Sequence, residues 1–120
     1  MAYVDGFVLT VPKKRLKDYV KMAKLAAKVW REHGSIDYKE CVGDDLKIKM
    51  GMGIPFTKLA KPKTGEVVIF AYIAYKSRAQ RDKVNAKVMK DPRMNCFDPK
   101  DMPFDCKRMT YGGFKVLVSG

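Results

Sequence analysis

Asp5 and Tyr111 each stand near glycine in a segment that reads as β-strand, so an acid and a phenol flank backbone that a ligand could approach closely. Asp5-Gly6 falls inside the first strand and Gly112-Gly113 inside the last. Glycine within a strand costs stability and marks either a bulge or the close approach of a ligand or a second backbone. With Arg108 near the same strand, Asp5, Gly6, Arg108, Tyr111, Gly112 and Gly113 make a candidate ligand pocket; a bulge that bends the sheet is the other explanation of the glycines. Tyr72 lies in mid-strand with a hydroxyl that needs a partner if buried, and it could orient a ligand or simply fill the core. His33 is the sole histidine. Its ordinary pKa suits a general base, yet it ends a helix, where a cation suits the dipole. Catalytic candidates are therefore His33, Asp5 and Tyr111.

Other clusters carry weaker chemistry. Glu40, Asp44 and Asp45 could gather at one strand end and attract a divalent ion, but successive residues of an extended segment point apart, which favours a turn. Cys41, Cys96 and Cys106 form no C-x-x-C pair, and with a single histidine they predict neither a zinc site nor a disulfide framework. No metal or cofactor is expected. P-loop, Rossmann, G-x-S-x-G and H-E-x-x-H fingerprints do not occur. Lys17, Lys21, Lys24, Lys28 and Arg31 form a basic stripe along one helix, a candidate contact for RNA or another polyanion and equally a solvated face. Arg81, Asp82 and Asn85 share a helix neighbourhood that suits surface or interface polar contacts.

The bulk properties set bounds. The chain has 120 residues and a formal net charge of +12, enough length for one small domain with a core. Its charge favours encounters with anionic partners and supports solubility. No run approaches the ~20 apolar residues of a membrane span, and Met1-Ala2-Tyr3-Val4-Asp5 lacks the pattern of a secretory signal. A reduced, cytoplasmic protein with no membrane partner is expected.

The elements that must position these residues follow from pattern. Residues 3–11 are rich in β-branched and aromatic types and read as a strand. Pro12 opens a helix over 13–33, with apolar Leu16, Val20, Ala23, Ala27 and Trp30 along one side and Gly34 as its stop. Residues 36–42 form a weaker second strand. An irregular connection over 46–65 follows, with at most a short turn at Phe56–Leu59. Residues 66–75 form the strongest strand. Ser77-Arg78-Ala79-Gln80 is a capping box that starts a helix ending before Asp91-Pro92, and the last strand spans 108–118. The order β-α-β-β-α-β predicts an α+β, ferredoxin-like fold with an antiparallel four-stranded sheet, strands one and three central and both helices on one face.

Strand three is apolar toward both faces, which a half-exposed antiparallel strand should not be. Leaving the second face wet would forgo roughly 1.5–3 kcal/mol for each large side chain. The expectation is a homodimer closed sheet to sheet, a dimeric α/β barrel; the other reading folds residues 43–65 over that face.

Several segments carry a resemblance: Tyr3-Val4-Asp5-Gly6-Phe7-Val8, Glu40-Cys41-Val42-Gly43-Asp44-Asp45, Ser77-Arg78-Ala79-Gln80-Arg81-Asp82, Asp91-Pro92-Arg93-Met94, and above all the long block from Met102-Pro103-Phe104-Asp105 to Gly112-Gly113-Phe114. The chain resembles the YbaA-like family of uncharacterised bacterial proteins, a domain of unknown function. That family is similar to the dimeric α/β-barrel superfamily, whose members include cofactor-free monooxygenases, small isomerases, haem enzymes and ligand-sensing domains. The resemblance implies the fold and the dimer and brings no settled activity. Lys76 stands where the family pattern has proline, and the 46–65 connection is poorly matched. The function expected is binding of a small organic ligand between sheet and helices, with cofactor-free chemistry open; the alternative is a basic accessory protein that contacts a polyanion through its first helix.

Overall fold

The computed structural model describes residues 2–48, 51–95 and 97–120, so Met1 and Cys96 lie outside the described residues. Strand β1 runs Tyr3–Pro12, a 3-10 turn at Lys13–Arg15 leads into helix α1 (Leu16–His33), and β2 runs Asp37–Val42. A short helix α2 (Phe56–Ala60) precedes β3 (Glu66–Tyr75), α3 (Arg78–Lys90) follows, and three 3-10 turns lead to β4 (Thr110–Lys115). The strands form one antiparallel sheet in the order β2-β3-β1-β4, with β1 and β3 central. The fold is therefore α+β, and the molecule, 42 × 39 × 20 Å in extent, leaves the sheet open on one side for much of its length.

Local signals account for the boundaries. Gly34 ends α1 at a φ of 122°, a value that side chains resist, and its N–H reaches Trp30 O at 3.1 Å. Ser77 caps α3 through its Oγ, which accepts Gln80 N–H at 3.1 Å. The Gln80 side chain does not close the box on Ser77: its Oε1 accepts Lys76 N–H at 2.6 Å and its Nε2 donates to Gly34 O at 2.9 Å, tying α3 to the end of α1. The last strand stops at Lys115, short of the sequence expectation, and Leu117 and Val118 are exposed beyond it.

The register sorts side chains by face. Tyr3, Asp5, Phe7, Leu9 and Val11 of β1 lie beside Tyr75, Ile73, Ala71, Ile69 and Val67 of β3, and these face α1 and α3. The buried line of α1 is Tyr19, Ala26 and Val29, whereas Val20 is exposed. The apolar line expected from spacing holds in part: Leu16, Ala23 and Trp30 pack against the core, and Tyr19 joins them as a buried ring with its hydroxyl bonded. On the opposite face stand Val4, Gly6, Val8 and Thr10 beside Ala74, Tyr72, Phe70 and Val68. Helix α2 covers one end of it: Phe56 meets Phe70 edge-on at 6.1 Å, and Val68 and Thr10 are buried. The rest, with Phe70 and Phe114 exposed, stays open.

The glycines of β1 and β4 pair without slippage, Gly6 with Gly112 and Asp5 with Gly113. No bulge exists there, which removes that explanation. Aromatic packing replaces it: a Cβ at Gly113 would overlap the Tyr3 ring, while the Phe114 ring lies over Gly6 and Gly112 at 3.5 and 3.9 Å from where their Cβ atoms would stand. Gly113→Ala is expected to cost about 1–2 kcal/mol, a fall in melting temperature of roughly 5–10 °C, and Gly112→Ala less than about 3 °C. Equal losses in a thermal melt of the two variants would contradict this account.

Candidate functional site: a chamber beneath the first helix

Small side chains hold the site open. Ala23 and Ala26 of α1 face the sheet where β3 carries Ala71, and three alanines cannot fill the gap between a helix and a strand that larger neighbours keep apart. Tyr19 and Trp30 on the same helix, Tyr38 and Glu40 on β2, and Phe7 and Ile73 on the sheet prop the two layers. The segment between α3 and β4 closes the side, with Met94, Phe97, Met102, Phe104 and Met109. The result is a cavity of about 250 Å³. A second of about 340 Å³ adjoins it toward the β2 edge and shares Tyr19, Ala23, Tyr38 and Glu40. A third of about 320 Å³ adjoins it toward β4 and shares Phe7, Trp30 and Ile73.

Two polar constellations face this space. In the first, Tyr19 donates its hydroxyl to Glu40 Oε1 at 2.7 Å and Tyr38 donates to Oε2 at 2.9 Å. Burial, followed by the neighbouring Glu40 carboxylate, pushes both tyrosine hydroxyls well above their ordinary range. The pair acts as neutral donors at any ordinary pH.

The second constellation gathers at the β4 side. Asp5 is buried, and burial pushes its carboxyl upward against the pull of Arg81 and hydrogen bonds from Tyr75 and Asn85. Arg81 Nη1 stands 3.7 Å from Asp5 Oδ1, and its Nη2 donates to the Tyr3 hydroxyl at 3.1 Å, with the guanidinium 4.9 Å from the centre of the Tyr3 ring. Asn85 Oδ1 accepts the Trp30 indole N–H at 3.2 Å and the Tyr75 hydroxyl at 3.4 Å. A buried acid raised by desolvation beside a cation in a cavity is the signature of many functional sites.

The residues singled out from sequence are divided by the structure. Asp5, Tyr111, Gly112 and Gly113 line the third cavity together, and the Tyr111 ring stacks on Phe7 at 6.0 Å. Gly6 does not join them, since it faces the open side under Phe114. Tyr72 also faces that side and donates to Asp37 Oδ2 at 3.1 Å. Arg108 lies at the other end of the sheet, where Nη1 and Nη2 each reach Glu66 at 2.8 Å and Nη2 reaches Lys61 O at 3.0 Å. It clamps the start of β3. His33 Nε2 sits 2.8 Å from Asp91 Oδ2 in a group with Arg93 and Glu32 that joins the ends of α1 and α3. Asp44 and Asp45 are exposed while Glu40 faces α1, so the three acids do not converge, and among the described residues no group of acids, histidines or cysteines could hold a metal ion. Cys41 and Cys106 are exposed and unpaired with one another. Lys17, Lys21, Lys24, Lys28 and Arg31 are all exposed on α1. No helix among the described residues is long and apolar enough to cross a membrane.

Sequence reasoning missed Tyr19, Tyr38 and Trp30 and took Arg81 and Asn85 for surface groups. A signal existed: Tyr38 and Glu40 are two apart on a strand and so share a face, and alanines between Tyr19 and Trp30 on a helix leave space between two rings.

The family model described as Protein of unknown function (DUF1428) matches residues 2–106. The "Uncharacterized protein YbaA" of Escherichia coli (strain K12) is 42% identical over 118 residues, covering 98% of this chain and 98% of that one. The protein of the same name in Shigella flexneri matches equally. A solved structure, "De novo designed protein Foldit4", aligns over 96% of this chain and 97% of that one at a TM-score of 0.48 and 10% identity.

The structural role of Arg108 has a pH signature. Its hydrogen bonds to Glu66 lower that carboxyl from an ordinary 4.5 to about 2. A depressed acid stabilises the fold above its unfolded value, and the contribution disappears as pH falls through the folded one. The melting temperature of Glu66→Gln should lie below wild type at pH 7, and the gap should close as pH falls from about 4.5 to about 2. A gap unchanged at pH 2.5 would refute the role.

Proposed function

This chain belongs to the family described as Protein of unknown function (DUF1428), together with the YbaA proteins, and we propose that it is a small-molecule-binding protein that works as a homodimer of ferredoxin-like subunits. The observation that carries the reading is the row of adjoining cavities on the helix side of the sheet, of about 340 and 250 Å³ beneath α1 and about 320 Å³ between α3 and the sheet, lined mostly by apolar side chains with a few convergent polar groups. They are clefts open to solvent, the two outer ones within the size range of small-molecule sites and the central one a little below it, and together they offer a small organic molecule room and apolar lining. Methionines and aromatics in the wall suit an apolar guest and adapt to its shape.

The dimer accounts for the other face. Helix α2 covers one end of it, and Val4, Val8, Tyr72, Phe70 and Phe114 are left partly or largely wet. Apposing the same face of a second copy would bury them around a twofold axis and complete a barrel of two sheets. The exposed cations of α1 support polyanion contact as a second reading, which predicts binding that weakens steeply with salt.

Filling the chamber tests the first proposal. Ala23→Leu should be accepted with the melting temperature within about 3 °C of wild type, where a filled core would lose about 1–3 kcal/mol. A metabolite that raises the wild-type melting temperature should no longer raise that of Ala23→Leu. Strong destabilisation by the substitution would mean that no usable space exists.

Sedimentation equilibrium tests the second. The wild-type chain should run as a dimer at micromolar concentration and Phe114→Glu as a folded monomer. A wild-type monomer at that concentration would end the barrel proposal.

A further inference from the structure

We infer that the chamber takes an organic cation, an amine or quaternary ammonium on an apolar body, with Glu40 as its counter-charge. The inference rests on the chamber being a ligand site and adds the ligand's charge. Glu40 lines both of the cavities nearer β2. Each of its oxygens accepts a single tyrosine hydroxyl, at 2.7 and 2.9 Å, which leaves lone pairs free to accept from a guest. None of the ion pairs among the described residues includes Glu40. Lys24 lines the outer cavity but is exposed and forms no ion pair with it.

That lack of a partner is informative in this chain, where 25 lysines and arginines face 13 acids. A carboxylate at an apolar cavity is costly unless its charge is met. Two neutral hydroxyls supply one hydrogen bond to each oxygen, and no cation pairs with it among the described residues. The surrounding rings supply the rest of the recognition. Tyr19 meets Phe104 at 5.6 Å edge-on, Trp30 meets Tyr38 at 6.1 Å, and all four border the cavity with Glu40. Aromatic faces carry negative charge density and attract an ammonium group, most strongly where water is excluded. An anionic guest would meet Glu40 as a like charge. A neutral guest without a hydrogen-bond donor would bury the carboxylate further and return nothing for it.

Trp30 is the sole tryptophan, so its fluorescence reports on the chamber wall. Phenyltrimethylammonium and its neutral isostere tert-butylbenzene differ at one atom, and titrating each against the wild-type protein isolates the charge. The cation should bind at least about tenfold more tightly than the isostere. In Glu40→Gln, whose Oε1 still accepts one tyrosine hydroxyl while its Nε2 can donate to the oxygen of the other, the preference should fall several-fold while the isostere still binds. A wild-type ratio below tenfold, or an unchanged preference in Glu40→Gln, overturns the cation inference and leaves the chamber standing. If neither probe changes the fluorescence or the melting temperature, the chamber reading falls and this inference with it.

Discussion

Strand β3 is apolar at nearly every position, while α1 and α3 lie on one face of the sheet. A sheet so composed must dispose of two greasy surfaces with one layer of helices, and the two sides are treated differently. Toward the helices the rings of Tyr3, Tyr19 and Tyr75 are buried with their hydroxyls bonded, and the space they frame is wider than the alanines of α1 can fill. Toward the outside, α2 shields one end and the rest stays exposed. Both proposals drawn above, a guest within and a second copy without, are answers to that single imbalance of apolar area against cover.

The elements were legible in the sequence because they depend on local rules. Pro12, Gly34, Ser77 and Asp91-Pro92 mark boundaries through backbone geometry and capping, and the structure places strands and helices within a few residues of those marks. The central placing of β1 and β3 followed from crossover handedness. The site was less legible, because which side of α1 turns inward depends on what the sheet offers. The apolar spacing placed Leu16 correctly against the core but also named Val20, which is exposed, and passed over Tyr19, which is buried with its hydroxyl received by Glu40 on β2. Arg108 shows the same limit. It is near Tyr111 in sequence, yet Glu66 captures it at the far end of the sheet, and only the register of β3 against β1 reveals that distance.

The two inward acids illustrate different solutions to one cost. Asp5 has Arg81 at 3.7 Å, too far for a tight pair, with Tyr75 and Asn85 as donors, and burial still prevails in raising its carboxyl. Glu40 has two tyrosine donors and no cation. Structural ion pairs elsewhere in the chain behave otherwise: Arg108 with Glu66 and Arg93 with Asp91 are close and doubled, and they hold the acids well below the ordinary range. Glu66 and Asp91, which tie elements of the fold together, are thus closely paired with arginines, and Asp5 and Glu40, which border the cavities, are not.

Trp30 joins the two compartments physically. Its ring borders both the central cavity and the one beside β4, its indole N–H is held by Asn85, and its face tilts toward Tyr38 at 6.1 Å. Asn85 in turn serves Tyr75 and Asp5, and Tyr38 serves Glu40. Hydrogen bonds from Trp30 and Tyr75 to Asn85 and from Tyr38 to Glu40, joined by the Trp30–Tyr38 ring contact, therefore link the walls of adjoining cavities across the interior. Such networks strengthen when every member is satisfied and lose more than one bond when a member is removed. The tryptophan is in this sense the wall that the two compartments share, held on one side by Asn85 and packed on the other against Tyr38.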